Sequence, residues 1–475
     1  MTERTDELVF GTDGWRDVVA ERFTFENVGR AAQAYARQLL AAGGRRVLVG
    51  HDTRFLGARF ARRAAEVLAA NGLEVALSAD YLPTPALSFA VKRYGADGGV
   101  MLTASHNPAE YNGFKLKGSY GGSASDATYR GVAELVARVR PADVASFDPR
   151  RHAVERFDVR RDYYDALAGL VDVGLLARAG GPLLHDAMGG AAAGWLTGFF
   201  RHVGLPDAAV ELRGEPDPMF HGVHPEPIAR NLEATMDRMT EVESPPLFAV
   251  ATDGDGDRLG VVLPGGAFFG SHQIFAVLLD RLERSGRRGT VVKTFTVSRI
   301  VERLAAGRGL PVVETKVGFK YVADEMLRGD VLIGGEESGG IGVQGHLPER
   351  DGIANALLLL EAVAAEGVGL GERFAELERE TGWRHAYDRL DLRLADPAQQ
   401  ARALAAFDDP GAVYAGRPVT SVERRDGVKL NLADDAWLLV RPSGTEPLLR
   451  VYCEAPDEGA VAAALAAARE LATGS

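Results

Sequence analysis

Three aspartates alternate with two glycines and end on an arginine in Asp253-Gly254-Asp255-Gly256-Asp257-Arg258. Carboxylates at every second position of an extended segment point the same way, and the glycines let the segment curl around a small ion. An all-oxygen donor set suits Mg²⁺ or Ca²⁺ and not zinc. An EF-hand is excluded on spacing, because its obligatory glycine falls on Arg258 and its bidentate glutamate on Pro264. The alternative is a solvated Asp/Gly turn, but packed like charges repel without a cation. A second constellation is Thr103-Ala104-Ser105-His106-Asn107-Pro108, followed by Tyr111-Asn112-Gly113-Phe114-Lys115. Ser105 stands at the end of an apolar strand, where a hydroxyl can serve as nucleophile or phosphoryl carrier or can simply cap a helix. His106 and Lys115 add proton-transferring or cationic groups nearby, and there is no G-x-S-x-G elbow.

Two further loops complete the set. Arg441-Pro442-Ser443-Gly444-Thr445-Glu446, with Arg450 beyond it, offers guanidinium, hydroxyls and a glycine that permits close backbone approach. It reads as an anion-binding nest or as a plain hairpin turn. Gly334-Gly335-Glu336-Glu337-Ser338-Gly339-Gly340 carries acids and a hydroxyl that could read sugar hydroxyls, or it is a solvated loop. The G-x-G-x-x-G spelling at Gly340–Gly345 opens no helix, since His346-Leu347-Pro348 follows, and no P-loop occurs.

The elements that must position these loops alternate between strand and helix. Val47–Gly50 runs into HDTR, Gly57–Asn71 has helical periodicity, Glu74–Ser78 is strand-like, Pro85–Tyr94 helix-like and Gly99–Leu102 strand-like. This is βαβ grammar, which implies largely parallel sheets flanked by helices. It recurs where Pro182–His185 meets DAMGG, Leu247–Ala251 meets TDGDGD, Thr290–Lys293 meets TFTVSR, and Asp330–Ile333 meets GGEESGG. Each polar loop follows a strand, where open α/β sheets bind ligands. From Trp383 the grammar changes: Val428–Leu432, Trp437–Val440 and Leu449–Glu454 read as close strands, and Glu458–Ala472 as a closing helix. The expectation is three related mixed α/β domains, 1–150, 151–262 and 263–375, and a C-terminal α+β domain, 376–475.

Length and composition bound the class. At roughly 100–200 residues per domain, 475 residues make three or four domains. A net charge of −12 argues against a nucleic-acid binder, so an anionic ligand would need local cations and backbone N–H groups. The lone Cys453 cannot form an intrachain disulfide, the N-terminus MTERTDELVFG has no apolar signal-peptide core, and the apolar stretch Ile353–Leu360 stops at Glu361, far short of the roughly 20 residues needed to span a bilayer. These features predict a cytoplasmic, soluble protein with no membrane partner.

The loops, in this order, resemble the motifs of the α-D-phosphohexomutase family: FGTDGWR (Phe10–Arg16), TASHNPAEYNGFK (Thr103–Lys115), DGDGDR (Asp253–Arg258), GEESGG (Gly335–Gly340) and RPSGTEP (Arg441–Pro447). The resemblance spans essentially the whole chain and implies three α/β domains and a more mobile fourth around one cleft. It implies that Ser105 is a phosphoserine and that Asp253, Asp255 and Asp257 hold Mg²⁺, with a phosphoserine oxygen as a further ligand. It places Arg16, Lys115 and Arg258 on the transferring phosphoryl, with His106 beside it. Glu336 and Ser338 would read sugar hydroxyls. Arg441, Ser443, Gly444, Thr445 and Arg450 would grip the other phosphate, and Lys316, in TKVGFK, resembles a further cleft lysine. The partner would be a phosphosugar, a sugar 1,6-bisphosphate would be intermediate and activator, and the protein would be a monomer or homodimer.

Mannose- and glucosamine-phosphate mutases of the family often carry histidine at the position of Gly340 and Met or Gln at that of Glu337, and Trp15 differs from the usual residue of the latter. The double Glu therefore favours glucose 1-phosphate and glucose 6-phosphate, with phosphomannomutase or dual specificity as the alternative. A metal-dependent phosphatase with a serine nucleophile is the rival of another class. It would need more metal ligands, and neither H-x-x-x-H nor H-x-H occurs. A non-catalytic sugar-phosphate sensor would leave the nucleophile, metal loop and phosphate grip unexplained together.

Overall fold

A computed structural model describes residues 8–11, 13–241, 245–443 and 447–473. Its strands form four sheets, and the first three share one plan. In the first, Arg46–His51 lies parallel to Glu74–Ser78 on one side and to Gly98–Leu102 on the other, and Tyr111–Gly118 returns antiparallel beside Gly98–Leu102. In the second, Leu183–Asp186 lies parallel to Ala209–Leu212 and Ala249–Thr252, and Leu259–Val262 is the antiparallel return. In the third, Thr290–Thr294 lies parallel to Val312–Thr315 and Val331–Gly335, and Ile341–Val343 returns. The alternation read from the sequence is thus realised as three related mixed α/β units. The first sheet also takes an edge strand from Val154–Phe157, beyond position 150 where the sequence places a boundary.

In the fourth sheet every pairing among the described strands is antiparallel. Its order is Ala386–Arg393, Leu448–Ala455, Trp437–Pro442, Val428–Leu432, Arg417–Glu423, Val413–Tyr414. Helices Pro397–Ala405 and Glu458–Thr473 cover one face and bury Leu438, Val440, Val451 and Cys453.

One continuous apolar core joins the first three units. It runs from Leu48 and Met101 through Trp195 and Phe199 to Leu357–Leu360 and Trp383. The fourth unit has its own core and meets the third through Phe295, Trp437, Leu439 and Tyr452. Helix Gly352–Glu366 is apolar on nearly every side because it is buried from Gly352 to Val363. Among the described residues no single helix is long and apolar enough to cross a membrane; one pair, Gly352–Glu366 and Leu370–Thr381, passes by length and composition, but bends by 77°.

Candidate active site

Ser105 lies in the hairpin loop between Gly98–Leu102 and Tyr111–Gly118 and caps no helix, which removes the capping alternative. Its backbone is left-handed, φ 53°, and its N–H donates to Thr103 Oγ1 at 2.9 Å. Arg54 enforces this shape. Its guanidinium donates to the carbonyls of Ser105 and Asn107 at 2.6 Å, Pro108 at 2.7 Å and Tyr111 at 3.0 Å. It pairs with Asp52 at 3.3 Å and lies 4.7 Å over the Phe220 ring.

The aspartate loop is the corresponding hairpin of the second unit. It is a tight turn instead of the extended segment expected, with Gly256 N–H donating to Asp253 O at 3.0 Å. The three carboxylates still converge, with donor atoms within 4.8 Å of one another and all three residues buried. A Cβ at Gly254 would lie 2.5 Å from Ser105 O, so only glycine lets the two loops touch. Ser105 Oγ then donates to Asp253 Oδ2 at 2.9 Å.

The triad's chemistry fits a hard divalent cation. Asp255 Oδ1 and Asp257 Oδ1 are buried without a hydrogen-bond partner, a costly arrangement that an ion would relieve. Burial and the neighbouring Asp257 and Asp255 push the Asp253 carboxyl well above the ordinary range, the response of packed anions to crowding. Asp255 goes the other way. Burial opposes its charge, but Lys115 at 2.8 Å and the Thr84 hydroxyl at 2.6 Å hold it below the usual value.

Cations ring this centre. Burial disfavours the Lys115 ammonium, yet Asp13 at 3.2 Å, Asp255 and Asp257 at 3.6 Å raise it above its ordinary value, so it stays charged. Arg16 donates to Asn107 Oδ1 at 2.9 Å and Asp13 Oδ2 at 3.0 Å. Arg258 lies 3.8 Å from Asp257 Oδ1, and its N–H donates to Asp253 Oδ1 at 3.2 Å. His106 Nδ1 is 3.4 Å from Ser105 Oγ. Burial, with Arg258, Arg16, His224 and Lys115 nearby, holds its pKa well below the ordinary histidine value.

Glu336 and Ser338 stand in the third unit's equivalent hairpin, after Val331–Gly335. Burial pushes the Glu336 carboxyl up to about 7; Arg350 and Arg258 oppose this, and Glu337 adds to it. The Glu337 carboxylate accepts from Thr296 Oγ1 at 3.1 Å. Gly340 is packed under the Arg350 stem, which fills the space a side chain there would need. Lys316 is exposed between Val312–Thr315 and helix Phe319–Arg328. In the fourth unit Arg441 lies opposite Arg450 on neighbouring strands, and Ser443 follows at the strand's end. Gly444 and Thr445 lie outside the described residues.

The motifs alone did not single out Arg54, Asp13 or Arg350. Asp13 is a hub for Arg16, Lys115 and Arg350, the last at 3.4 Å. Arg350 reaches Asp257 Oδ2 at 2.7 Å and Glu336 Oε2 at 3.7 Å, tying the aspartate loop to the Glu336 loop. Arg54 had a usable signal, since HDTR directly follows a strand. Arg350, between a short return strand and a helix, had none.

Residues 7–142, 161–266 and 270–380 match the family descriptions "Phosphoglucomutase/phosphomannomutase, alpha/beta/alpha domain I", "II" and "III", and 391–471 matches its "C-terminal domain". A Thermus thermophilus crystal structure with a provisional phosphomannomutase name is 46% identical, with TM-score 0.88 over 98% of this chain and 99% of that one. A phosphoglucomutase/phosphomannomutase of Thermococcus kodakarensis is 30% identical over 95% of both chains. A phosphoglucomutase of Komagataeibacter xylinus is 30% identical over 95% of this chain and 88% of its own. A phosphoglucosamine mutase of Halorhodospira halophila is 31% identical over 95% and 93%. The family is Mg²⁺-dependent, and the buried triad is able to hold that ion. The chain belongs to the phosphoglucomutase/phosphomannomutase family of phosphohexomutases.

Proposed function

We propose that the chain interconverts glucose 1-phosphate and glucose 6-phosphate through a phosphoserine at Ser105 and a sugar 1,6-bisphosphate. The observation that carries the chemistry is Ser105 Oγ, 2.9 Å from Asp253 Oδ2 and within one buried cluster with Lys115. The phosphoryl group on Ser105 passes to the sugar's free hydroxyl: the bond from phosphorus to Ser105 Oγ breaks, the bond to the sugar oxygen forms, and the proton the sugar hydroxyl gives up is matched by one taken up at Ser105 Oγ, which is left as a hydroxyl. The resulting bisphosphate turns over, and its other phosphate returns to Ser105. Phosphoryl transfer asks mainly for charge neutralisation and positioning. Mg²⁺ held by Asp253, Asp255 and Asp257 supplies part of the first when bound. Lys115, Arg16 and Arg258 supply the rest, His106 lies beside the reacting oxygen, and Arg350 keeps the Asp257 and Glu336 loops in register. Arg441, Arg450, Lys316 and the Ser443–Thr445 loop grip the phosphate that is not being transferred, and that remote binding orients the reacting hydroxyl.

Glucose and mannose phosphates differ only in the 2-hydroxyl. Glu336 and Ser338 read hydroxyls that both sugars share, Gly340 has no side chain to add, and Glu337 is the acceptor that discriminates. A site that hydrogen-bonds the differing hydroxyl discriminates strongly, because the wrong partner leaves polar groups unpaired. The expected preference for glucose 1-phosphate over mannose 1-phosphate is at least about tenfold in kcat/KM, and glucosamine 1-phosphate is poorer still. A side-by-side assay with saturating bisphosphate tests this. Equal or better use of mannose 1-phosphate would favour the second reading, phosphomannomutase or dual specificity, which the name of the 46% identical relative supports. Net phosphate release without isomerisation would instead mark a phosphatase.

A further inference from the structure

Asp426 sits in the hairpin turn between Arg417–Glu423 and Val428–Leu432, and each of its carboxylate oxygens has a separate partner. Oδ1 accepts from Arg441 Nε at 3.0 Å, and Oδ2 accepts from the backbone N–H of Val317 at 3.0 Å. The first partner belongs to the RPSGTEP segment of the fourth unit; the second is the residue after Lys316 in the third. The neighbouring residues reinforce this bridge. Arg425 Nη2 reaches Glu314 Oε1 at 2.5 Å and its guanidinium lies 4.6 Å over the Phe295 ring, while Lys429 Nζ donates to Phe295 O at 2.8 Å.

We propose that Asp426 is a positioning residue for the phosphate grip: it sets the guanidinium plane of Arg441 and holds the Lys316 loop beside it, so that both cations meet the same phosphate. This rests on the reading of Arg441 as part of that grip. A guanidinium presents two edges. Asp426 takes Nε, so the edge formed by the two terminal nitrogens is the one oriented for two phosphate oxygens, the geometry in which arginine binds phosphate best. Without the carboxylate, Arg441 must be ordered by the ligand itself, and the ordering cost appears in binding.

The test is steady-state kinetics with glucose 1-phosphate and saturating bisphosphate, with the same set run on mannose 1-phosphate. Asp426→Ala is expected to raise KM about tenfold with a smaller fall in kcat. Asp426→Asn keeps one acceptor, enough for Arg441 Nε, but turns its NH₂ toward the Val317 N–H, so it should recover only part of the loss. In an Arg441→Ala background, Asp426→Ala should cost clearly less than it does alone, because only its hold on the Lys316 loop is left to lose. Thermal melts identify any variant that is merely unfolded, and Asp426→Asn carries the test if Asp426→Ala is. Unchanged KM in a folded Asp426→Ala enzyme overturns the proposal, as does an effect equally large with and without Arg441. If Arg441→Ala alone leaves KM unchanged while Asp426→Ala raises it, the grip reading of Arg441 fails, and with it the positioning role of Asp426.

Discussion

Ser105 and Asp255 answer different questions about the same centre. Ser105 Oγ is the hydroxyl that meets Asp253 at the edge of the triad, so Ser105→Ala is expected to lose at least about three decades of turnover, the scale of a lost catalytic nucleophile. Phosphopeptide mass spectrometry of the active enzyme should find phosphate on Ser105 and none after the substitution. Near-normal turnover of Ser105→Ala would end the assignment. Asp255 tests the cation. Its Oδ2 is shared by Lys115 and Thr84, and its Oδ1 is a buried acceptor without a donor. Asp255→Asn should weaken Mg²⁺ binding by at least about tenfold, since even changes one shell further out cost that much. Calorimetric titration of Mg²⁺ into the protein reads this without reference to activity. Chelation should abolish turnover and Mg²⁺ restore it, with zinc a poor substitute for hard oxygen donors. Wild-type affinity in Asp255→Asn would take the ion elsewhere. These residues could be proposed from the sequence because each loop carries its chemistry-bearing residue types in a few contiguous positions. Asp13 and Arg350 could not, because their place in the cluster is set by partners far along the chain, such as Asp257 for Arg350.

The same plan at the level of elements explains why the unusual loops meet. In each of the first three units the candidate site residues lie in the hairpin between the last parallel strand and its antiparallel return, and the loop after the central strand supports that hairpin. Arg54 does so for Ser105, Ala191 N–H for Gly254 O at 3.0 Å, and Thr296 Oγ1 for Glu337. The βαβ grammar and the strand before each loop were readable from period and turn residues. The antiparallel returns in the second and third units were not, because Leu259–Val262 and Ile341–Val343 are short and carry little periodicity. Arg54 is the strongest of these supports, and it is fully buried with Asp52. Removing one partner of a buried pair costs about 3–5 kcal/mol, so Arg54→Ala should lose about that much in urea unfolding and much of its turnover. Burial already pushes the Asp52 carboxyl up to about 6, against the pull of Arg54. A carboxyl that holds its proton more tightly folded than unfolded stabilises the fold at low pH, and that contribution is lost as pH rises through its folded value. Arg54→Ala should therefore lose more relative to the parent at pH 8 than at pH 5. A pH-independent difference would show that Asp52 does not feel the loss.

Across the whole molecule one apolar core joins the first three units, which also keep clusters of their own, whereas the fourth has a separate core and docks through an apolar patch together with the Asp426, Arg425 and Lys429 contacts. The change of grammar after Trp383 foretold the separate unit; the docking contact was hidden, because it joins Glu454 to a helix start 155 positions earlier. Glu454 is buried and accepts from Arg299 N–H at 2.9 Å and Ser298 Oγ in the third unit, from Trp383 Nε1 at 3.0 Å in the connection, and from Trp437 Nε1 at 2.8 Å in its own sheet. His385 Nδ1 is 3.0 Å away. A carboxylate at the N-terminus of helix Arg299–Gly307 also meets the positive end of its dipole. Burial opposes the charge, but His385 and Ser298 hold the carboxyl below its ordinary range. Glu454→Gln substitutes an amide whose NH₂ must face some of these donors, at a cost of about 3 kcal/mol or more. That cost falls on docking, because the fourth unit's own core lies on the other side of its sheet and includes neither Glu454 nor Trp437. The expected result is a larger radius of gyration in small-angle scattering, a lower kcat, and two melting transitions in place of one, with the first three units melting close to the parent. A variant whose scattering and turnover both match the parent would show that docking does not depend on Glu454 and that the apolar patch around Phe295 and Trp437 suffices together with the Asp426, Arg425 and Lys429 contacts.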